Sequence, residues 1–267
     1  MSMNLKQKYG QTALIAGASE GIGAAFATRL ASEGMDLVLI ARRTAPLQLL
    51  AGSLKTAYNI NVTCITCDLA DTNATRQIED ALKGTEINLL VYNAAKSYIG
   101  PFIENSFENH SQMAQVNMIT PLNLLHSFGI KMVAKKKGAI ILMASLAGFQ
   151  GSGFLTIYAA TKAYNRVLAE SLWYEWKDFG VDVMACCAGA TATQNFKDSN
   201  PEKAGFFAPK VQSPEQVVTE CFKKLGKRPS FISGTGNKVA SFIMQKILPR
   251  KFTVTIMGDN TKKMYRL

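Results

Sequence analysis

Three glycines at fixed spacing, Gly17-Ala18-Ser19-Glu20-Gly21-Ile22-Gly23, sit between a short apolar run, Thr12 to Ala16, and an amphipathic stretch, Ile22 to Glu33, closed by Gly34. The order strand, glycine turn, helix narrows the fold more than any other feature. Glycines let the backbone turn tightly and approach a ligand, and the first turn of the following helix offers free amides and the positive end of its dipole. The loop therefore suits a pyrophosphate.

The same alternation continues along the chain. Leu37 to Ala41, Val62 to Ile65, Asn88 to Tyr92, Ala139 to Ala144, Val181 to Ala188 and Ser230 to Ile232 read as strands. Pro46 to Tyr58, Asn73 to Lys83, about Ser111 to Val133, Tyr158 to Lys177 and Pro214 to Leu225 read as helices. Strands alternating with helices predict an α/β fold, one doubly wound parallel sheet of about seven strands with helices on both faces. Nothing resembles a linker or a repeat, so residues 1 to about 235 are expected to form one unit and 236–267 an extension of it.

Composition removes other classes. The 267 residues are 48% hydrophobic and 18% charged, which excludes disorder and small disulfide scaffolds. The longest uncharged stretch, Gly138 to Thr161, is broken by Gly148, Gln150, Gly151, Ser152 and Gly153, so no membrane span is expected. The polar stretch Met1 to Gln11 lacks a signal-type apolar core, and a cytoplasmic protein is expected. Cys64 and Cys67 lie on a strand with opposite-facing side chains, Cys186 and Cys187 are adjacent, and His110 and His126 are the only imidazoles. Reduced, buried cysteines and no metal site are expected.

Two further clusters carry chemistry. The second strand ends in Ala41-Arg42-Arg43, where a carboxylate would hold a ribose 2′-hydroxyl and an arginine a 2′-phosphate; the arginines favour NADP over NAD, while Glu20 pulls the other way. Tyr158 and Lys162 stand one helical turn apart, and an ammonium beside a phenol favours phenolate, so this tyrosine can exchange a proton with an alcohol or carbonyl oxygen. Tyr92 and Lys96 share the spacing but lie where a strand runs into a loop. Ser145, at a strand end, is placed to bind the same oxygen as Tyr158.

Together these features resemble the short-chain dehydrogenase/reductase family, over most of the chain. Its G-x-x-x-G-x-G loop appears as Gly17, Gly21 and Gly23, with Ser19, Glu20 and Ile22 between them. Its adenine-contacting acid matches Asp68, followed by Leu69; its N-N-A-G motif matches Tyr92-Asn93-Ala94-Ala95; its catalytic asparagine matches Asn117. A serine, a tyrosine thirteen residues later and a lysine after four more match Ser145, Tyr158 and Lys162, whereas Tyr92 has Glu79 at minus thirteen. The resemblance implies a Rossmann-type domain and hydride transfer between a nicotinamide and a carbonyl or alcohol carbon. Tyr158 would be the general acid or base. Lys162 would bind the nicotinamide ribose and lower the Tyr158 pKa, Ser145 would polarise the substrate oxygen, and Asn117 would anchor a relay water. Three positions depart from the pattern: Ala16, Ala95 and Ala188 stand where the family has Thr, Gly and Pro. Gly189, Thr191 and Thr193 still follow and would reach the nicotinamide carboxamide.

In this family the segment after the sixth strand covers the substrate. Here a lid at about 190–212 carries Phe196, Phe206 and Phe207, which points to an apolar lipid-like substrate of steroid, retinoid or acyl type. Alternatives are a reductase of carrier-bound 3-oxoacyl groups and a non-catalytic NADP-sensing scaffold. Residues 201–267 hold 13 Lys/Arg against 4 Asp/Glu. Within them Asn237 to Leu248 sets Val239, Phe242, Ile243 and Ile247 at helical spacing beside Lys238, Lys246, Arg250 and Lys251. Such a segment docks on its own domain or a sister subunit, or lies on an anionic membrane surface; no motif for nucleic acid is present. The family association into homodimers or homotetramers would use the helices at about Ser111 to Val133 and Tyr158 to Lys177.

Overall fold

The computed structural model describes residues 4–199, 201–202 and 211–267. A short helix, α1 (Leu5–Tyr9), precedes β1 (Thr12–Ala16). Then follow α2 (Gly21–Ser32), β2 (Asp36–Ala41), α3 (Thr44–Tyr58), β3 (Val62–Thr66), α4 (Ala74–Leu82) and β4 (Leu89–Tyr92). A long helix, α5, is built from Phe107–Ala114, Thr120–Leu124 and Ile130–Ala134, joined by π-helical turns at Gln115–Ile119 and Leu125–Gly129. After it come β5 (Gly138–Ser145), α6 (Thr156–Trp176), β6 (Val181–Ala188), α7 (Gln194–Asp198), α8 (Pro214–Lys224) and β7 (Ser230–Ile232). The chain ends with α9 (Thr235–Phe242), extended by a π turn at Ile243–Ile247, and α10 (Arg250–Tyr265).

The seven strands form one sheet in the order β3-β2-β1-β4-β5-β6-β7, every pair parallel. Strands buried on both faces need no alternation, and β1, β4 and β5 are accordingly apolar almost throughout. Ala13 and Ile15 face a layer containing Phe26, Leu30, Leu47, Leu54, Val217 and Phe222, from α2, α3 and α8. Leu14 and Ala16 face Ile78, Leu124, Phe128 and Ala169, from α4, α5 and α6. Cys64 packs on the first layer and Cys67 on the second, so the two thiols diverge as their spacing predicts. All five cysteines are free.

The chain order of the sheet reverses between β1 and β4. There the two crossovers leave in opposite directions and open a crevice at the carboxyl ends of the strands. Gly17, Asn93 and Ser145 all lie at that edge.

Several boundaries differ from the sequence expectation. Helix α5 starts four residues early, at Phe107, because the Ser106 hydroxyl accepts from the Asn109 amide and caps it. The polar N-terminal stretch forms α1, which buries Leu5 and Tyr9; the Tyr9 hydroxyl donates to Asp182 at 2.7 Å. The expected helix at Asn237 to Leu248 begins at Thr235, and α10 beyond it had no counterpart in the sequence reading. No helix among the described residues is long and apolar enough to cross a membrane.

Candidate active site

A cleft of about 830 Å³ follows the crevice from Arg42 and Arg43 at one end to Met264 and Tyr265 at the other. The glycine loop forms its floor. The amides of Gly17 and Ala18 donate to the Ile40 carbonyl at 2.8 and 3.1 Å, and the Asn93 side chain donates to the Gly17 carbonyl at 2.9 Å. Gly17 has φ +80°, and a Cβ there would lie 2.7 Å from the Ala94 backbone. A Cβ on Gly23 would meet the Gly17 carbonyl at 1.9 Å. Gly23 does not line the cleft; it lets α2 pack beneath the loop.

Ser19, Glu20, Gly21 and Ile22 line the same end, with Asp68 and Leu69 after β3 and Asn93, Ala94 and Ala95 after β4. Arg43 forms an ion pair with Glu20 at 2.7 Å, both side chains about half exposed. Gly189, Thr191 and Thr193 line the middle of the cleft; Thr191 donates to the Gly189 carbonyl at 3.1 Å, and Gln212 holds the loop through backbone bonds to Ala190 and Ala192. The glycine cradle, the open helix N-terminus and the arginine pair together fit a dinucleotide.

At the centre stand Ser145, Tyr158 and Lys162. Ser145 ends β5 and caps the following turn, its hydroxyl accepting from the Ala147 amide at 3.2 Å. The Lys162 ammonium is 3% exposed, donates to the Met143 carbonyl at 2.8 Å and lies 5.5 Å from the centre of the Tyr158 ring. Burial lowers its pKa to about 8. Tyr158 departs from expectation. Burial pushes its phenol above the ordinary value, the Ser145 hydroxyl opposes this, and Tyr265 adds to it. Lys162 does not offset the burial because its ammonium is turned to the Met143 carbonyl and over the ring.

Asn117 is fully buried and does not line the cleft. It occupies the first π turn of α5, and its amide is consumed in positioning: it accepts from the Lys96 amide and donates to the Lys96 carbonyl, both at 2.8 Å, and to Thr161 at 3.0 Å. A π turn leaves main-chain groups imperfectly paired, and such turns recur at functional sites. Both N–H groups of the Asn117 side-chain amide are used, and its oxygen keeps one acceptor site.

Phe196 lines the cleft, whereas Phe206 and Phe207 lie outside the described residues. The sequence reading missed the opposite wall. Met257, Asn260, Thr261, Met264 and Tyr265, spaced along one face of α10, close the cleft over Tyr158. The Glu202 amide donates to the Met264 carbonyl at 2.9 Å, and Arg266 donates to the Glu202 carboxylate at 2.6 Å, joining the end of this helix to residue Glu202 beyond α7. Lys96, Tyr98, Ile99, Gln112 and Leu155 add further lining, with the Lys96 ammonium donating to the side-chain Oε1 of Gln112. The only advance signal was the i, i+3, i+4, i+7, i+8 spacing, which Asn260 and Thr261 made illegible as an apolar stripe.

The basic C-terminal stretch packs on its own chain through residues other than the expected stripe, of which Val239, Phe242 and Ile247 stay exposed. Asn237, Ser241, Met244, Thr253 and Thr261 are buried, the Thr253 hydroxyl donates to the Met244 carbonyl at 2.8 Å, and Arg250 donates to the Phe149 carbonyl at 3.0 Å.

A profile of the short chain dehydrogenase family matches residues 11–204. The chain is a short-chain dehydrogenase/reductase. This short-chain dehydrogenase/reductase is 33% identical over 238 residues to a 7beta-hydroxysteroid dehydrogenase of Collinsella aerofaciens, covering 88% of the chain and 90% of the relative. A solved 7beta-hydroxysteroid dehydrogenase structure superposes with a TM-score of 0.89 at 30% identity, over 96% of this chain and 99% of the other. A short-chain dehydrogenase from Sphingobium yanoikuyae in complex with NADPH gives a TM-score of 0.74 at 28% identity, over 84% and 87%. The protein is an oxidoreductase of this family with a Rossmann-type fold.

Proposed function

We propose that this short-chain dehydrogenase/reductase uses NADP(H) to interconvert a ketone and a secondary alcohol on a bulky, rigid apolar substrate of steroid type. The observation that carries the reading is the wall made by α10: Met257, Met264 and Tyr265, with Phe196 and Leu155, offer a broad apolar surface next to Tyr158. The similarity to 7beta-hydroxysteroid dehydrogenases and to an NADPH complex supports both halves of the reading.

Gly17, Ser19, Gly21 and Ile22 would hold the pyrophosphate at the α2 N-terminus, and Arg42 and Arg43 the 2′-phosphate. Asp68 and Leu69 would flank the adenine, Asn93, Ala94 and Ala95 its ribose, and Gly189, Thr191 and Thr193 the carboxamide. The bound nicotinamide supplies or accepts the hydride. Ser145 donates a hydrogen bond to the substrate oxygen, and Tyr158 gives that oxygen its proton during reduction or takes it during oxidation. A phenol raised by burial is protonated at neutral pH, which suits the reductive direction. Lys162 would hydrogen-bond the nicotinamide ribose and favour the phenolate once the proton has left. Asn117 fixes Lys96 and Thr161, and its main chain would hold a relay water behind Lys162.

Exposed Ile119, Leu122 and Ile130 on α5 and Val167 and Tyr174 on α6 support association of two or four copies through these helices. Light scattering would read that state. For the activity, NADPH oxidation is followed with purified protein, a steroid ketone, a small aliphatic ketone and a 3-oxoacyl thioester. Preferential turnover of the steroid ketone, abolished by Tyr158→Phe with NADPH binding retained, is expected. Turnover confined to the thioester would replace the substrate reading, and unaltered function in Tyr158→Phe would replace the enzyme by a nucleotide-sensing scaffold.

A further inference from the structure

Lys96 is a cation in the cleft with no counter-ion among the described residues. It follows Asn93, Ala94 and Ala95 after β4 and is half-buried. The side-chain amide of Asn117 pins its main chain on both sides, at 2.8 Å each, so the lysine stem starts from a fixed point. Its ammonium donates to Oε1 of Gln112, and Gln112 is oriented in turn by donating to the Glu108 carboxylate at 3.2 Å. A neutral amide thus holds the ammonium in place and leaves its charge intact. The acids that line the cleft are engaged elsewhere: Glu20 pairs with Arg43, Asp198 accepts from Gln194 at 2.6 Å, and Asp68 accepts from the Ala70 amide at 3.0 Å. The other lining cations are no substitute. Lys162 donates to the Met143 carbonyl, and Arg42 and Arg43 stand at the far end.

We infer that Lys96 is a second anchor for the substrate, binding an acidic group carried on its apolar body; the inference rests on the substrate reading above. An ammonium has three N–H donors, of which Gln112 takes one. Filling the cleft with an apolar molecule strips water from the other two, which is costly unless the ligand itself brings an anion. An acidic group on the substrate meets that need with charge-assisted hydrogen bonds. The contact lies away from the reacting carbon, so its binding energy goes into orienting the ketone toward Ser145 and Tyr158. The preferred substrate is therefore an amphipathic anion, and a neutral lipid of the same shape is a poorer one.

The test is kcat/KM for NADPH-dependent reduction of one steroid ketone in two forms, with a free side-chain carboxylate and as its methyl ester, by wild type and by Lys96→Met. Methionine keeps an unbranched apolar stem and removes the charge. Wild type is expected to favour the acid over the ester by about tenfold, the scale of one hydrogen bond to a charged group. That preference should disappear in Lys96→Met. General damage lowers both forms together and leaves their ratio alone, so the ratio reads the contact itself. A wild type that reduces acid and ester equally well, or a preference that survives in Lys96→Met, overturns the anchor and leaves the steroid reading in place. Reduction of neither form by protein that binds NADPH overturns the substrate reading and the anchor with it.

Discussion

The Lys162 ammonium donates to the Met143 carbonyl at 2.8 Å, deep in the chain and without a carboxylate partner. Its charged form is disfavoured on folding, with a pKa lowered from 10.5 to about 8. The resulting penalty is complete below about pH 8 and fades as pH rises toward the ordinary lysine value. Lys162→Met is accordingly expected to abolish turnover while raising stability at pH 7 by about 1–2 kcal/mol, the unpaired Met143 carbonyl offsetting part of the gain. Denaturant unfolding at pH 7 and pH 10 checks this: the advantage over wild type should shrink at the higher pH.

The same lysine sets a pH limit on reduction. With cofactor saturating, kcat/KM for ketone reduction should fall as pH rises through about 8, where Lys162 loses its proton, because Tyr158 stays protonated well beyond that point. Alcohol oxidation should show no rise over the same range, since Tyr158 stays protonated there and a neutral Lys162 no longer favours its phenolate. A reduction profile that stays flat to pH 10 would remove Lys162 from the proton chemistry.

Tyr265 stands beside the Tyr158 phenol although more than a hundred residues of chain separate them. Tyr265→Ala should lower kcat/KM for a bulky apolar ketone by about tenfold, the loss of roughly 1.4 kcal/mol of contact, with the NADPH affinity unchanged. Steady-state kinetics and a separate nucleotide titration distinguish this from general damage.

Gly17→Ala tests the cradle. A Cβ at φ +80° and 2.7 Å from the Ala94 backbone forces the loop off its seat. The variant should lose about 2 kcal/mol of stability or more and its measurable affinity for either nucleotide. Thermal unfolding and nucleotide titration read the two effects.

How much of this was visible beforehand depended on whether a residue acts locally. The bounds of β1, β6 and β7 agree with the sequence reading because a run such as Ala13-Leu14-Ile15, buried on both sides, carries its own signal. Glycine spacing and the Tyr158–Lys162 turn are equally local. Helix α10 was not legible because its inward face meets a cleft instead of the core, so Asn260 and Thr261 sit where a stripe would need leucines. The Tyr158 phenol was misjudged for a related reason: its neighbour Lys162 is visible in sequence, but burial and the approach of Tyr265 arise only in three dimensions.

The joining of Glu202 to Met264 and Arg266 has a consequence for how such a chain diversifies. Everything assigned to the expected nucleotide is encoded up to Thr193, and the wall proposed to face the substrate is completed only by the last turn of α10. Exchange of the terminal twenty residues between relatives would thus retarget the molecule while its redox half is inherited untouched.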